Sequence, residues 1–299
     1  MTFLENVDKT KLQKITLIVI SALVLAALAL LLVIIIMSIT PKTPGLSDGI
    51  KNLKDYTVTD ADINAGTLIL ADKDHPYLPE EEWLDLVNCS EFMLSQPDAT
   101  GKDPLPDGKK DFENMNYIPW TAMRLSETAM PSVHKMLTDA KTSVNKKPIT
   151  IDGAYYDVVK HGETYPEYST ALLILLSDFD SSGTARVPLK KEYRSWLDDN
   201  AYKYGFIESF EDGYRYVGAP HAKLIKDNDD ISTLADYIAF LKDKTGYDKT
   251  VRVKVDGVEY AVYYVACEEG QTIKVPANNT YTISGTNEGG VIITVKLSK

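Results

Sequence analysis

The sequence predicts an α+β protein preceded by one transmembrane helix and followed by a small β-rich module. Three observations predict this class. Residues 15–39 form a long apolar run without a charged side chain. Between residues 119 and 244, segments with helical spacing of apolar residues are mixed with short apolar runs typical of strands. From residue 251 onward, strand-like segments are separated by Asp-Gly, Asn-Asn and Gly-Gly pairs, which are typical of tight turns.

The apolar run at residues 15–39 is long enough to cross a membrane. At about 1.5 Å per residue a helix of this length reaches about 37 Å, and a hydrocarbon core is about 30 Å thick. Three lysines stand in residues 1–14, so we expect this tail to be cytoplasmic. Residues 40–56 carry Pro, Gly, Ser and mixed charge and are interpreted as a stalk. The expected location is the cell membrane, with a single span and an extracellular C-terminal ectodomain.

The charge balance limits the classes of partner. The chain of 299 residues has 32 Lys and Arg against 43 Asp and Glu, a formal net charge of −11. An acidic surface repels phosphate groups, so we expect no nucleic-acid partner. The length suits one ordinary domain with a smaller second one.

Two cysteines, Cys89 and Cys267, stand far apart in the sequence. Cys267 ends an apolar strand, so a buried thiol is the simpler interpretation. A disulfide stays an open alternative, because an exported domain permits one.

The elements of the ectodomain follow from local patterns. Apolar periodicity predicts a helix at 189–204, ended by Gly205 as its C′ residue, and a second helix from a Ser232 cap to Lys244. Asp256-Gly257 predicts a two-residue hairpin, with three further strands behind it. The other predicted elements are a helical turn at 60–66, a strand at 67–71, a helix at 119–142 interrupted by Pro131, a strand–turn–strand unit at 148–159 and a fully buried strand at 170–176.

One stretch carries a family resemblance. Residues 196–222 read WLDDNAYKYGFIESFEDGYRYVGAPHA, and its blocks WLDDNAYKYGFI and RYVGAPHA resemble the VanY-type D-alanyl-D-alanine carboxypeptidases. These bacterial zinc peptidases trim peptidoglycan stem peptides. The resemblance implies a peptidase scaffold with an antiparallel sheet and flanking helices over residues 57–230. It also implies that residues 231–299 are a C-terminal helix with a β module.

The family's metal ligands are missing from the corresponding positions. The family segment S-x-H-x-x-G-x-A-x-D supplies a His and an Asp, but this chain has Tyr168 and Leu175 there and Ala171 at the Gly. The family segment E-P-W-H-x-R-Y-V-G supplies the general base and a second His, and Gly213 stands at that His. A catalytic zinc needs about three ligands from His, Asp, Glu or Cys. The comparison therefore predicts no zinc, no other cofactor and no catalytic residue.

A substrate-binding position has changed as well. The family motif Y-R-S carries an Arg for the substrate carboxylate, and Tyr155 stands at its position here. The expected function is a cell-wall binding or interaction module, with peptidoglycan stem peptide or an envelope protein as partner. Candidate residues for a remnant peptide groove are Tyr155, Glu167, Tyr168 and Arg215.

Two other interpretations stay open. The chain could be an active D,D-carboxypeptidase with a rearranged zinc site, for which His161, Asp178 and His221 are the available ligands, although no spacing supports the set. It could also be a scaffold that binds a partner protein and no stem peptide. Whether the chain is an enzyme is therefore uncertain from sequence, with a pseudoenzyme favoured.

Overall fold

The structure is a computed structural model that describes residues 19–20, 50, 52–97, 116–119, 123–144, 147–155, 166–180 and 185–297. The predicted tail at 1–14 and transmembrane helix at 15–39 lie outside these residues, except that Val19 and Ile20 are helical. Among the helices of the described residues, none has the length and apolar character needed to cross a bilayer. Residues Met1–Gly45 and Leu46–Lys299 form separate units, and the elements below belong to the second.

The helices and strands are numbered in chain order. The helices are α1 (Asp60–Asn64), α2 (Cys89–Ser95), α3 (Met130–Val144), α4 (Lys191–Asn200), α5 (Ala219–Lys226) and α6 (Leu234–Lys244). The strands are β1 (Leu53–Thr57), β2 (Leu86–Asn88), β3 (Ile118–Pro119), β4 (Arg124–Ser126), β5 (Thr150–Gly153), β6 (Leu173–Phe179), β7 (Arg186–Val187), β8 (Phe206–Phe210), β9 (Gly213–Tyr216), β10 (Val251–Val255), β11 (Val258–Val265), β12 (Thr272–Pro276), β13 (Tyr281–Gly285) and β14 (Val291–Lys296). Short 3-10 turns occupy Glu81–Trp83, Pro166–Thr170 and Ala201–Tyr204.

The central sheet has the order β3-β5-β6-β9-β8, with β7 paired to β6. All of its pairs are antiparallel except β3 with β5. Helices α3 and α4 cover one face, where their apolar side chains meet Leu172, Ile174 and Leu176. The mixed helix and sheet fold predicted from sequence is therefore confirmed for the described residues, and the sheet is antiparallel apart from one pair.

The prediction of a helix over 119–142 is wrong in its first half. Ile118–Pro119 and Arg124–Ser126 are strands, and helix α3 begins only at Met130. Pro131 lies in the first turn of α3, where its missing N–H costs no helical hydrogen bond. The proline therefore marks the beginning of the helix instead of an interruption.

The predicted strand at 67–71 is buried but belongs to no sheet. Leu68 N–H donates to Ser284 Oγ at 2.9 Å, and Leu70 N–H donates to the Thr286 carbonyl at 3.1 Å. The carbonyl of Ile69 accepts from Arg215 at 3.1 Å. Because side chains and a loop satisfy these backbone groups, the segment can be buried without a strand partner.

The predicted helix ends and hairpin are confirmed. Gly205 follows the helical segment with φ +88°, as a C′ glycine should. Helix α6 ends at Lys244 as predicted, but the predicted Ser232 cap is wrong: the N-cap is Thr233, whose hydroxyl and Asp236 form a capping box. Asp256 and Gly257 both have positive φ, 47° and 81°, between β10 and β11, as a type I′ hairpin requires.

The C-terminal strands share a core with the rest of the unit. Strands β10, β11, β14 and β13 form one sheet, while β12 pairs with β1, so residues 53–56 of the segment interpreted as a stalk are a strand. Val262 and Ile292 of the C-terminal sheet pack with Leu68 and Val217 around helix α6. Residues from both sides of the predicted boundary at 230 therefore contribute to one core.

Ala171 stands at the family's Gly position in a left-handed conformation, with φ 57° and no solvent exposure. This conformation costs a non-glycine residue about 1–2 kcal/mol, whereas a buried methyl group contributes about 0.8 kcal/mol. We expect Ala171→Gly to leave the free energy of unfolding within about 1 kcal/mol of its original value. The matched control Ala140→Gly, inside α3, should cost about 2 kcal/mol. Urea denaturation of both variants tests the difference, and equal losses would contradict it.

Candidate functional site

Three residues at the family's site lie side by side across the central sheet. Leu175 on β6 is paired with Gly153 on β5 and with Gly213 on β9. We call these three residues the central row. Because paired residues point to the same face of a sheet, a side chain at either glycine would stand beside Leu175. The register thus brings together two of the three positions at which the family keeps a metal ligand.

Two aromatic side chains cover the glycines of the central row. A Cβ atom added to Gly153 would lie 2.5 Å from the hydroxyl oxygen of Tyr168. A Cβ atom added to Gly213 would lie 2.5 Å from the ring of Phe210. The space on either side of Leu175 is therefore filled by Tyr168 and Phe210. Leu175 itself stays half-buried, so the prediction of a fully buried strand is wrong at this residue.

Phe210 is a site residue that the sequence reasoning missed. It lies three residues before Gly213, the spacing at which the family places its general base ahead of the His. The three-residue spacing of the family motif therefore identifies this position in the sequence. A phenyl ring neither accepts nor donates a proton, so the residue cannot replace a catalytic carboxylate.

The residues at this place do not fit a catalytic zinc. Leu175 offers hydrocarbon, Gly213 offers no side chain, and the phenol of Tyr168 is a poor neutral ligand. Over the part of the chain that the structure describes, no three side chains of His, Cys, Asp or Glu are placed to hold a metal ion.

The rearranged metal set fails at two of its members, and His161 lies outside the described residues. His221 is 4% exposed, with its two ring nitrogens 2.8 Å from the Tyr237 hydroxyl and 2.9 Å from the Thr294 hydroxyl. Both nitrogens are thus engaged, and burial lowers the pKa of His221 to about 3. Asp178 is 1% exposed and pairs with Lys190 at 2.9 Å. The polar atoms of His221 and Asp178 are therefore engaged by other residues of the protein and are not available to a metal ion.

Glu167 and Tyr168 belong to the 3-10 turn beside the central row. The Ser209 hydroxyl of β8 donates a hydrogen bond to the Glu167 carboxylate, which links the turn to the edge of the sheet. Glu167 also lines a cavity together with Ser209 and Phe210. Of the predicted groove residues, Glu167 therefore lines this cavity beside Phe210, whereas Tyr168 lies against Gly153 of the central row.

Tyr155 lies two residues beyond Gly153 and contacts an arginine from another strand. The guanidinium carbon of Arg124 on β4 is 5.3 Å from the centroid of the Tyr155 ring, and the Tyr155 N–H donates to the Arg124 carbonyl at 2.9 Å. Arg124 is exposed. A cation from β4 therefore stands beside the position at which the family keeps its carboxylate-binding Arg, and no spacing in the sequence signals it.

The structure does not place Arg215 in a groove. Its side chain is fully buried, with Nη1 donating to Thr170 Oγ1 at 2.5 Å and Nη2 donating to the carbonyls of Ile69 at 3.1 Å and Thr67 at 3.3 Å. Burial lowers the pKa of Arg215 from its ordinary value, while the charge of Glu167 opposes that shift. The interpretation of Arg215 as a groove residue is therefore corrected, because its donors are used inside the core.

Comparisons with known proteins found a relative by sequence and a solved structure with a similar fold. A D-alanyl-D-alanine carboxypeptidase from Enterococcus faecium is 29% identical over 271 residues, which cover 82% of this chain and 80% of that protein. The crystal structure of the vancomycin resistance D,D-dipeptidase VanXYg, in complex with a D-Ala-D-Ala phosphinate analog, has a TM-score of 0.59. The match covers 82% of this chain and all of that chain at 19% identity. No family model matches the sequence.

The sequence comparison and the fold comparison both lead to enzymes that the printed names describe as D,D-peptidases. The blocks WLDDNAYKYGFI and RYVGAPHA lie in helix α4, strands β8 and β9 and helix α5. The chain therefore resembles the VanY-type D-alanyl-D-alanine carboxypeptidase family in sequence and shares the fold of a solved D,D-dipeptidase.

Proposed function

We propose that this chain is a non-catalytic member of its family that binds peptide ends in the cell envelope. The central row is the observation that carries the proposal. Leu175 and Gly213 occupy ligand positions, and the Tyr168 hydroxyl and the Phe210 ring fill the space beside Leu175. In a zinc peptidase the metal lowers the pKa of the attacking water toward about 7. The side chains of the central row give this chain no means of activating water in that way.

The remaining groups suit recognition of a peptide carboxylate. Arg124 is exposed and held beside Tyr155, and an Arg guanidinium can donate two parallel hydrogen bonds to a carboxylate. The two relatives are described as acting on or binding D-Ala-D-Ala groups. We therefore propose a stem peptide ending in D-Ala-D-Ala as the ligand, with its terminal carboxylate at Arg124.

The test of inactivity uses the full-length protein purified in detergent. Elemental analysis should find no stoichiometric zinc, and incubation with a stem pentapeptide should release no D-alanine. The Enterococcus faecium relative, treated in parallel, is the positive control for both measurements. Bound zinc at one equivalent together with turnover would overturn the proposal.

The test of binding is calorimetry with the same pentapeptide. Loss of a charge-assisted hydrogen-bonding group costs about 1.5–3 kcal/mol, so Arg124→Gln should weaken binding about tenfold or more. The control variant Arg252→Gln removes an exposed arginine from the C-terminal sheet and should leave affinity unchanged. If both variants bind the pentapeptide equally well, Arg124 does not hold the carboxylate.

We also propose that residues 15–39 anchor the chain in the membrane with the ectodomain outside. The uncharged apolar run and the three lysines before it support this. Removal of residues 1–45 should transfer the chain from the membrane fraction to the soluble fraction of cells. Continued sedimentation with membranes would show that another segment is responsible.

A further inference from the structure

A long open trench runs along β8, the edge strand of the central sheet. Two cavities of about 470 and 460 Å³ lie along this strand and share Ile207, Glu208 and Ser232. One wall is β8, and the other is the continuous segment 228–235, which leads into helix α6. We call this feature the β8 trench. Each residue of β8 from Phe206 to Phe210 lines one cavity or the other, so the trench can accept an extended chain beside this strand.

The backbone of β8 has hydrogen-bonding groups directed into the trench. Tyr216 N–H donates to the Leu172 carbonyl, so the backbone N–H and C=O of Tyr216 point toward β6. The backbone groups of its neighbour Arg215 therefore point toward β8. Arg215 is paired with Ile207, which turns the backbone groups of Glu208 toward the free edge. Among the described residues, no loop or cap forms a backbone hydrogen bond with Glu208. An unpaired edge of this kind accepts an added strand.

The side chains of the trench combine apolar walls with an excess of acid. Ile207, Ile231 and Leu234 supply apolar surface on both walls. The carboxylates that line it are Asp72, Glu167, Asp198, Glu208 and Asp229, whereas the cations are Lys73 and Lys226. Lys73 is already paired with Asp74 at 2.9 Å. The pKa of Glu208 is raised, first by burial and then by the negative charge of Asp198. A bound cation would relieve that repulsion.

We propose that the β8 trench binds an extended polypeptide segment of a partner protein, which adds as a strand along β8 and carries Lys or Arg side chains. Main-chain hydrogen bonds to the edge would supply affinity, and the carboxylates would select basic side chains. The proposal goes beyond the binding of stem peptide, because it holds whether or not the central row has catalytic activity.

The test uses the full-length protein in detergent and a fluorescent peptide of four Val-Lys repeats. Anisotropy should show saturable binding. Methylating alternate backbone amides of the probe removes donors and blocks strand addition, so affinity should fall about tenfold or more. The variant Asp198→Asn with Glu208→Gln should bind about two- to fivefold more weakly. The control Glu268→Gln with Glu269→Gln, at an exposed turn, should bind as the unmodified chain does.

Hydrogen exchange locates the bound probe. Addition of the Val-Lys peptide should protect the backbone amide of Glu208 from exchange. Three outcomes would overturn the proposal: no saturable binding, equal binding of the methylated probe, or equal binding by the Asp198 and Glu208 double variant. A stem pentapeptide that displaces the probe and protects Glu208 would also overturn it, by assigning the trench to stem peptide. Failure of these measurements leaves the zinc and D-alanine assays unaffected, so the two proposals fail separately.

Discussion

Replacing Arg215 with methionine is expected to destabilise the folded chain by about 3–5 kcal/mol. The guanidinium has no solvent exposure and donates to Thr170 Oγ1 and to the carbonyls of Ile69 and Thr67. Methionine fills much of the volume but donates nothing, so these acceptors would be buried without partners. Chemical denaturation followed by far-UV circular dichroism measures the loss.

The control for Arg215 is the same substitution at an exposed arginine. Arg124→Met changes charge and shape equally, but Arg124 lies at the surface, so its effect should stay within about 0.5 kcal/mol. The variant Arg215→Lys separates charge from geometry. A lysine keeps the charge but lacks the planar fork, so it should recover only part of the loss. Equal stability of Arg215→Met and Arg124→Met would show that the buried hydrogen bonds contribute little.

Acidification is expected to destabilise the fold through His221. Burial lowers the pKa of this residue from 6.5 to about 3 in the folded state. Below pH 6.5 the unfolded chain therefore binds a proton at His221 that the folded chain does not bind. The free energy of unfolding consequently falls as the pH decreases toward 3. Between pH 7 and pH 4 this contribution is on the order of 3 kcal/mol. The measurement is urea denaturation at a series of pH values.

A variant without the histidine isolates that contribution. His221→Asn should be less stable at pH 7, because the bonds to Tyr237 and Thr294 are disturbed, but its stability should fall less between pH 7 and pH 4. His75→Asn is the control: burial lowers the pKa of His75, but its hydrogen bond to Asp72 and the charges of Asp72 and Glu288 raise it overall, so removing this histidine should keep the steep fall. If His221→Asn loses as much stability over this range as the unmodified chain, another group causes the acid sensitivity.

The elements that were predictable depend on neighbours in sequence. The Asp256-Gly257 hairpin, the Gly205 helix end and the helix ending at Lys244 need only turn chemistry and apolar spacing, and all three are present. The segment at 67–71 was not predictable in the same way. Its apolar residues suggest a strand, but its hydrogen-bond partners are Ser284, Thr286 and Arg215, which only the tertiary fold brings near.

The site residues also divide into those that the sequence predicts and those that depend on the tertiary fold. The family motif located Tyr168, Leu175 and Gly213, and the register of β6 with β9 pairs the last two. Motif spacing also contained the signal for Phe210. Arg124 had no such signal, because its distance to Tyr155 depends on how β4 lies beside residues beyond β5. The burial of Arg215 could not be inferred either, since its acceptors lie in the segment at 67–71 that was assigned to a strand.

The rings beside Leu175 have a consequence for the design of a metal site in this fold. A side chain added at Gly213 would place its Cβ 2.5 Å from the Phe210 ring, so this ring would have to move aside. A histidine placed at position 213 would therefore meet the Phe210 ring before it could bind a metal ion. Engineering zinc binding into this fold is expected to require a smaller residue at position 210 together with ligands at positions 175 and 213.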